Sequence, residues 1–442
     1  MASEWPPVLL EDLVEVKHGF AFQGEFFSDE PPGDVLLTPG NFAIGGGFKG
    51  GKFKYYRGPV PEEFVLAPGD LLVTMTDLSK ASDTLGYPAL VPKSKIRFLH
   101  NQRVGKVQIK PNAGLDIHFL YYLLRTRKYR NEVLASATGT TVKHTSPTRI
   151  GKFRFRRPSL GEQQAIAFTL SVLDDKIDLN RKTDETLEAM ARALFKSWFV
   201  DFDLVRAKAE GRDPGLPAPI AALFPDSFEA SELGEIPKGW RVDSLLSDAK
   251  LLSGGTPKTD VDEYWNGDIL WASAKDVSQS PYSFLVNTER KITSLGLEKS
   301  ATQLIPAFST VVVARGATTG RMVIFGKEMA MNQTCYAIAS AINTPFTLYC
   351  RLRQQIDGLV HAAHGSVFDT ITTSTFAQAT IAAAPQAVSE QFESVAGPLF
   401  GRILANVLQS QLLTDVRDTL LPKLISGELG VADADRGVRG QI

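Results

Sequence analysis

Residues 162–199 read EQQAIAFTLSVLDDKIDLNRKTDETLEAMARALFKSWF. Ile166, Leu170, Leu173, Ile177, Leu187, Leu194 and Trp198 lie on one seam, and Asn180, Asp184 and Ala191 fill its remaining positions. The steps alternate four and three throughout, which is the heptad pattern of a coiled coil. A helix of this length extends roughly 57 Å, more than one small domain covers. Residues 390–425 repeat the phase with Phe392, Ala396, Leu399, Ile403, Asn406, Ser410, Leu413, Val416, Leu420 and Leu424. Two such helices in one chain are expected to pair with each other.

The phase recurs because the chain contains itself twice. Trp5 and Gly19 return as Trp240 and Gly254, Asp34 as Asp268, Pro68 as Pro306, and the pair Asn101-Gln102 as Asn332-Gln333. Further on, Gly139 matches Gly365, Pro158 matches Pro385, Asn180 matches Asn406 and Leu194 matches Leu420. The offset falls from 235 at the tryptophans to 226 at the leucines, as loop insertions and deletions make it. Solenoid repeats run to roughly 20–50 residues. A period this long makes each copy a domain with its own core, and two similar but unequal halves suit a target gripped at two similar but unequal places.

Each half opens with a strand-rich part. Short apolar runs such as Val35-Leu36-Leu37, Leu71-Leu72-Val73, Ile269-Leu270-Trp271 and Val311-Val312-Val313 are punctuated by Gly, Pro, Asn and Asp, which is strand-and-turn chemistry. A helix is expected over 117–134, with a counterpart over 348–363. The fold class is therefore α+β: two similar mixed α/β domains, 1–158 and 238–386, each followed by a long helix, 159–200 and 387–429. A proline-rich linker is expected over 201–237, where Pro214, Pro217, Pro219, Pro225 and Pro237 stop the helix and stiffen the chain. Residues 430–442 lack apolar periodicity and are expected to be disordered.

Hydrophobic content of 43% and charged content of 22% are ordinary for a soluble globular protein. Cys335 and Cys350 are too few for a disulfide framework. The opening MASEWPPVLLED lacks signal-peptide character, and no apolar run approaches the roughly 18 residues of a membrane helix. A cytoplasmic protein with no membrane partner is expected. The net charge of -1 conceals an asymmetry: Lys93 to Arg157 holds sixteen Lys or Arg against Asp116 and Glu132 alone, while Lys327 to Pro385 holds three of each sign. A concentrated positive field on a neutral chain points to a polyanion, of which nucleic acid is the commonest.

With that frame in place, three stretches resemble a known family. LFKSWFVDFDLVRAKAEGRDPGLPAPI (194–220) is similar to the central region of the specificity subunit of type I restriction–modification enzymes. SELGEIPKGW (231–240) resembles that family's entry to its second target-recognition domain, and LLPKLISGEL (420–429) resembles its distal helical region. The resemblance implies that each domain reads one half of a bipartite double-stranded DNA sequence. It implies that the helices form an antiparallel coiled coil, with a pseudo-two-fold axis, that fixes the spacer and binds two methyltransferase subunits. Restriction subunits then join. The partners supply the chemistry, and this chain has neither catalytic residues nor a cofactor of its own. Phe195, Phe199 and Leu421 lie off the mutual seam and are expected to present apolar surface to the methyltransferase.

The residues agree with a non-catalytic role. No asparagine is followed by proline, so the Asn-Pro-Pro-aromatic loop of an adenine methyltransferase is missing. Gly46 and Gly51-Lys52 approach a phosphate loop, but Phe53 stands where Ser or Thr would ligate magnesium. His361, His364 and Cys350 lack finger-like spacing for a metal, and Asp226, Glu235 and Lys238 lack the spacing of a nuclease carboxylate cluster. A single-chain methyltransferase, a nuclease and a coiled-coil scaffold remain the alternative classes.

Base edges are read by Arg and Lys at guanine, Asn and Gln at adenine, and Asp and Glu at cytosine. Loops following the core strands hold such residues. In the first half they are Asn41, Thr76, Asp77, Ser79, Lys80 and Arg103, then Lys143, His144, Thr145 and Arg149 after the turn Thr138-Gly139-Thr140. In the second half they are Lys275, Asp276, Arg315, Thr318, Thr319 and Arg321. The tryptophans Trp265 and Trp271 suit core packing better than DNA contact. Asn180 and Asn406, near the helix midpoints, are expected to face each other and fix the coiled-coil register.

Overall fold

The computed structural model describes residues 5–439 apart from 78, 80, 81, 141 and 365–369. It forms two compact units, one built from Met1–Asp175 with Leu413–Ile442 and the other from Lys176–Leu412.

In the first unit, Val104–Ile109 is an inner strand of a four-stranded sheet and pairs antiparallel with Val14–His18 on one side and Leu71–Thr74 on the other. A second sheet is built around Asp34–Leu37, which runs parallel to Phe98–His100. The runs Val35-Leu36-Leu37 and Leu71-Leu72-Val73 are completely buried, as continuous apolar runs are where both faces of a strand are covered. The second unit repeats these connections. Cys335–Ser340 lies between Ala249–Ser253 and Thr310–Val313, both antiparallel. Trp265–Ala272 pairs parallel with Ala330–Met331.

The two long helices are Leu160–Phe199 and Gln386–Ser426. In the first unit, Ile166 and Leu170 share a core with Leu421, Leu424 and Ile425, and Asp174 receives Arg417 Nη1 at 2.6 Å. In the second unit, the Asn180 amide donates to Gln409 Oε1 (2.9 Å), Ser410 Oγ (3.2 Å) and the Asn406 carbonyl (3.4 Å), while Asn406 donates to Asp184 Oδ1 (2.7 Å). Phe195 and Trp198 then meet Phe392, with ring centroids 5.6 and 5.7 Å apart. Within each unit, positions rising along the first helix meet positions falling along the second, so the helices pair antiparallel. The asparagines touch, but in a stagger: each amide bonds a group other than its counterpart's amide.

Acidic side chains of these helices also hold the mixed domains. Asp174 accepts Arg125 Nη1 (2.6 Å) and the Tyr122 hydroxyl (2.9 Å) besides Arg417. Burial alone would raise its pKa, but the two guanidiniums outweigh that and hold the carboxyl below the usual range. Gln163 accepts from Asp116 N (2.9 Å) and donates to the Gly114 and Pro158 carbonyls. In the second unit, Glu188 accepts from the hydroxyls of Ser283 and Tyr349. Glu393 accepts the Phe346 and Thr347 amides at 3.1 and 2.8 Å, at the start of the helix Pro345–His364, where exposed N–H groups favour a carboxylate.

Four expectations need correction. The span 201–237 carries the helices Asp203–Ala209 and Ala218–Ala221 and the hairpin Phe228–Ser231/Gly234–Pro237. Leu204, Val205, Phe224 and Ile236 are buried there with Trp198 and Trp240, so this proline-rich stretch is part of a core and not a free linker. Val431–Arg439 is helical where disorder was expected, because Ala434 is buried and Leu429 and Val431 pack on the first unit's core. The helix expected over 117–134 is two, Ile117–Leu123 and Arg127–Ser136, since Thr126 caps the second by accepting Tyr129 N. Phe195 and Leu421 are buried, and Phe199 stacks on Phe195 at 4.7 Å. The exposed apolar residues of the long helices are instead Leu160, Phe168, Val172, Leu179, Met190, Leu408 and Leu412.

Asp184 sets a pH dependence. Burial raises its pKa above 3.8, only partly offset by Asn406, and its Oδ2 is buried without a hydrogen-bond partner. A raised folded-state value means the stability it contributes is full below the unfolded pKa and is lost as pH rises through the folded one. Asp184→Asn is therefore expected to gain thermal stability over the wild type progressively as pH rises above the ordinary carboxylate value of about 4. Paired melting curves across that range check it; a constant difference would remove Asp184 as the cause.

Candidate nucleic-acid interface

The two units bring their loops together with the same main-chain connections. In the first, Thr145 N donates to the Met75 carbonyl and Met75 N to the Arg103 carbonyl, both at 3.0 Å. In the second, Ile371 N donates to the Ala314 carbonyl and Ala314 N to the Thr334 carbonyl, both at 2.9 Å. Met75 and Ala314 directly follow the strands Leu71–Thr74 and Thr310–Val313. Three separate segments are thereby tied in a row at the end of each sheet.

Most first-half candidates lie along this row. Lys143–His144 pairs with Thr76–Asp77, and Thr76 Oγ1 meets His144 Nδ1 at 3.2 Å. Arg149 Nη1 donates to Thr138 Oγ1 at 3.1 Å, bracing the turn. Several candidates serve the fold. Asp77 accepts from Ser79 N (2.7 Å), Thr84 N (2.5 Å) and Thr84 Oγ1 (2.8 Å). Burial would raise its pKa, but these bonds together lower it. Asn41 is buried and caps the turn at Thr38, and Thr76 and Thr145 are buried too. Ser79 Oγ accepts Asp83 N at 2.8 Å, and Arg103 is exposed. Lys80 lies outside the described residues. A cleft of about 650 Å³ opens beside the row, with Phe22, Phe27 and Ile44 among its apolar lining and Lys49, Gln102 and Arg103 among its polar lining.

In the second half, Arg315, Thr318 and Arg321 are exposed on the loop between Thr310–Val313 and Met322–Phe325, and Thr319 donates to the Gly316 carbonyl at 2.7 Å. Lys275 pairs with Glu289 at 2.6 Å, and Asp276 forms a capping box with Ser273. Trp265 and Trp271 pack edge to face at 5.2 Å within the core, and the exposed Arg290 lies 3.4 Å over Trp265.

The Asn-Gln repeat, absent from those candidates, forms the same turn in both units. Val104 N donates to the Asn101 carbonyl (3.0 Å) and Cys335 N to the Asn332 carbonyl (3.4 Å). Asn101 Oδ1 accepts Arg103 N, as Asn332 Oδ1 accepts Thr334 N. Gln102 and Gln333 stand exposed at the turn tips. A Cβ on Gly19 would fall 2.3 Å from the Asn101 carbonyl oxygen, and one on Gly254 2.2 Å from that of Asn332. Only glycine permits this approach. The two pairs of repeat landmarks are in contact, and their joint recurrence in sequence is the signal that marks them, although the sequence alone reads it only as evidence of duplication.

The glycine loop has a structural role. Gly45 accepts Arg125 Nε at 2.9 Å, and a Cβ on Gly46 would meet the same side chain at 2.8 Å. The basic stretch also finds acids from beyond itself: Arg97 pairs with Asp34 and Glu62, Lys106 with Asp70 and Arg125 with Asp174. Lys95, Arg103, Arg127, Lys152 and Arg154 remain exposed. Among the described residues no cluster of His, Cys, Asp and Glu could hold a metal ion, and no helix is long and apolar enough to cross a membrane.

This duplicated scaffold, with donors and acceptors along the same row in each copy, is that of a two-domain recognition protein. A family model, the type I restriction modification DNA specificity domain, matches residues 2–189 and again 237–391. The chain belongs to the family of type I restriction–modification specificity subunits. The HindI specificity subunit of Haemophilus influenzae is 28% identical over 372 residues, covering 73% of this chain and 79% of that relative. The MjaIX specificity subunit of Methanocaldococcus jannaschii is 28% identical over 353 residues, covering 79% and 76%. The crystal structure of the type I restriction–modification S subunit from M. genitalium is similar in fold, with a TM-score of 0.56 and 15% identity over 96% of each chain.

The glycine contact gives a direct test of the shared turn. Gly19→Ala and Gly254→Ala are each expected to cost about 1–3 kcal/mol through overpacking. Gly24→Ala, where an added Cβ meets nothing within 4 Å, is expected to be near neutral. Urea midpoints at unchanged slope measure this; equal midpoints for all three variants would refute the close approach.

Proposed function

We propose that the chain is the non-catalytic, sequence-reading subunit of a type I restriction–modification complex, acting on double-stranded DNA. Each unit reads one half of a bipartite site with the loops tied along its main-chain row. The duplicated row is the observation that carries this reading: two copies of one scaffold hold different side chains at corresponding places. In the first unit Lys143, His144 and Arg149 lie along the row, and in the second Arg315, Thr318 and Arg321 lie close to it. The more basic first unit contributes more of the salt-dependent phosphate affinity.

The long helices set the spacer and dock two methyltransferase subunits, with restriction subunits completing the complex. Exposed apolar side chains on both helices, Phe168, Leu179 and Met190 on the first and Leu408 and Leu412 on the second, support a docking role. The polar cluster of Asn180, Asp184, Asn406, Gln409 and Ser410 fixes register. A slip of one heptad would move a helix by roughly 10 Å, and buried polar groups penalise such a slip by losing their partners.

Exchanging residues 1–158 for the matching domain of a relative is expected to change one half of the methylated motif and leave the other half and the spacer intact. The donor must keep groups able to bond Asp174 and Gln163 as Arg125, Tyr122 and Asp116 do here. Methylome sequencing of cells carrying the assembled system reads the outcome. A change in both half-sites would overturn the modular reading.

A further inference from the structure

Beyond the asparagine that closes each turn, the side chains nearest each main-chain row differ between the units, with one exception. Arg103 in the first turn is replaced by Thr334 in the second, and the loops that follow share little. The exception is the glutamine at each turn tip. Gln102 and Gln333 follow an asparagine whose side chain bonds the turn, occupy the first tip position, and precede an inner strand of their sheet. Neither is needed to close its turn, because the flanking main chain and the asparagine do that. Each is exposed, so neither is retained for core packing.

We propose that Gln102 and Gln333 are matched specificity-determining residues, each reading an adenine of an A·T pair at the corresponding place in its half-site. This rests on the DNA-reading function argued above. A glutamine amide sets an acceptor beside a donor, the complement of the adenine N6–H and N7 in the major groove. Among the described residues the Gln102 amide makes no side-chain hydrogen bond, and it lines the cleft together with Lys49 and Arg103, cations suited to flanking phosphates. In the second unit the Thr256 hydroxyl donates to Gln333 Oε1. That bond orients the amide and leaves its Nε2 free to donate and the second Oε1 lone pair free to accept. The glycine under each turn lets the backbone approach that fixes where the tip stands. Identical side chains on identical supports make the same contact twice, while the unlike loops around them make the two half-sites different.

The test uses this chain assembled with its methyltransferase subunits, selecting from a randomised duplex pool. The wild type is expected to yield a bipartite motif with an A·T pair at corresponding positions of the two halves. Gln102→Ala is expected to reduce discrimination at that position of one half-site by about 5- to 150-fold, leaving the rest of the motif unchanged; Gln333→Ala does the same in the other half. Gln102→Glu, nearly isosteric, is expected to shift preference there towards cytosine, and it serves if the alanine variant does not fold. An unchanged motif in the variants, or a uniform loss of affinity for all sequences, overturns the proposal. A wild-type complex yielding no bipartite motif would instead overturn the DNA-reading function on which it rests.

Discussion

The half-buried carboxylate of Asp174 is the group on which the first unit's order depends. It stands on one long helix, receives Arg417 from the other, and receives Arg125 and Tyr122 from the mixed domain. Arg125 in turn grasps the Gly45 carbonyl, so a single charge ties two helices, an inner helix and a surface loop. Arg125 is the most enclosed of these charged groups, so removing Asp174 would leave its guanidinium without its carboxylate. The second unit meets the same demand with different groups. Glu188 takes two hydroxyls and Glu393 takes the opening amides of a helix. The duplicated halves conserve the requirement that helix and domain be locked, but not the chemistry of the lock.

Much of this was legible in the sequence. Heptad spacing located both long helices to within a few residues, because an alternating four-and-three step has few other physical explanations. The repeated landmarks were informative beyond their purpose. Gly19 with Asn101 and Gly254 with Asn332 are distant in sequence but touch in each unit, so their joint recurrence reported a contact. The fully buried strands were visible as uninterrupted valine and leucine runs.

The interface side chains were less legible, for a reason rooted in their chemistry. Asn, Asp, Ser and Thr bond base edges, but they bond local backbone equally well. Asn41, Asp77 and Asp276 are consumed in turns and caps, and nothing in composition separates those uses. The proline-rich span 201–237 misled because proline signals a break in helix and says nothing about burial: Phe224 and Ile236 within it join the core beside Trp198. Local counting also overstated the free positive charge, since the acids that pair with Arg97, Lys106 and Arg125 are remote in sequence.

The first unit is assembled from both ends of the chain, whereas the second is one continuous run. Trp5 lies against Gly427, and Leu421 and Leu424 complete the core that Leu10 and Phe119 begin. During synthesis from the N-terminus, the domain that is made first is therefore the one that finishes last. All of the second unit's residues have emerged before Arg417 reaches Asp174, and until then the first domain keeps an open apolar face. Contacts of such long sequence separation close slowly, so in this chain the order of translation and the order of completion run in opposite directions.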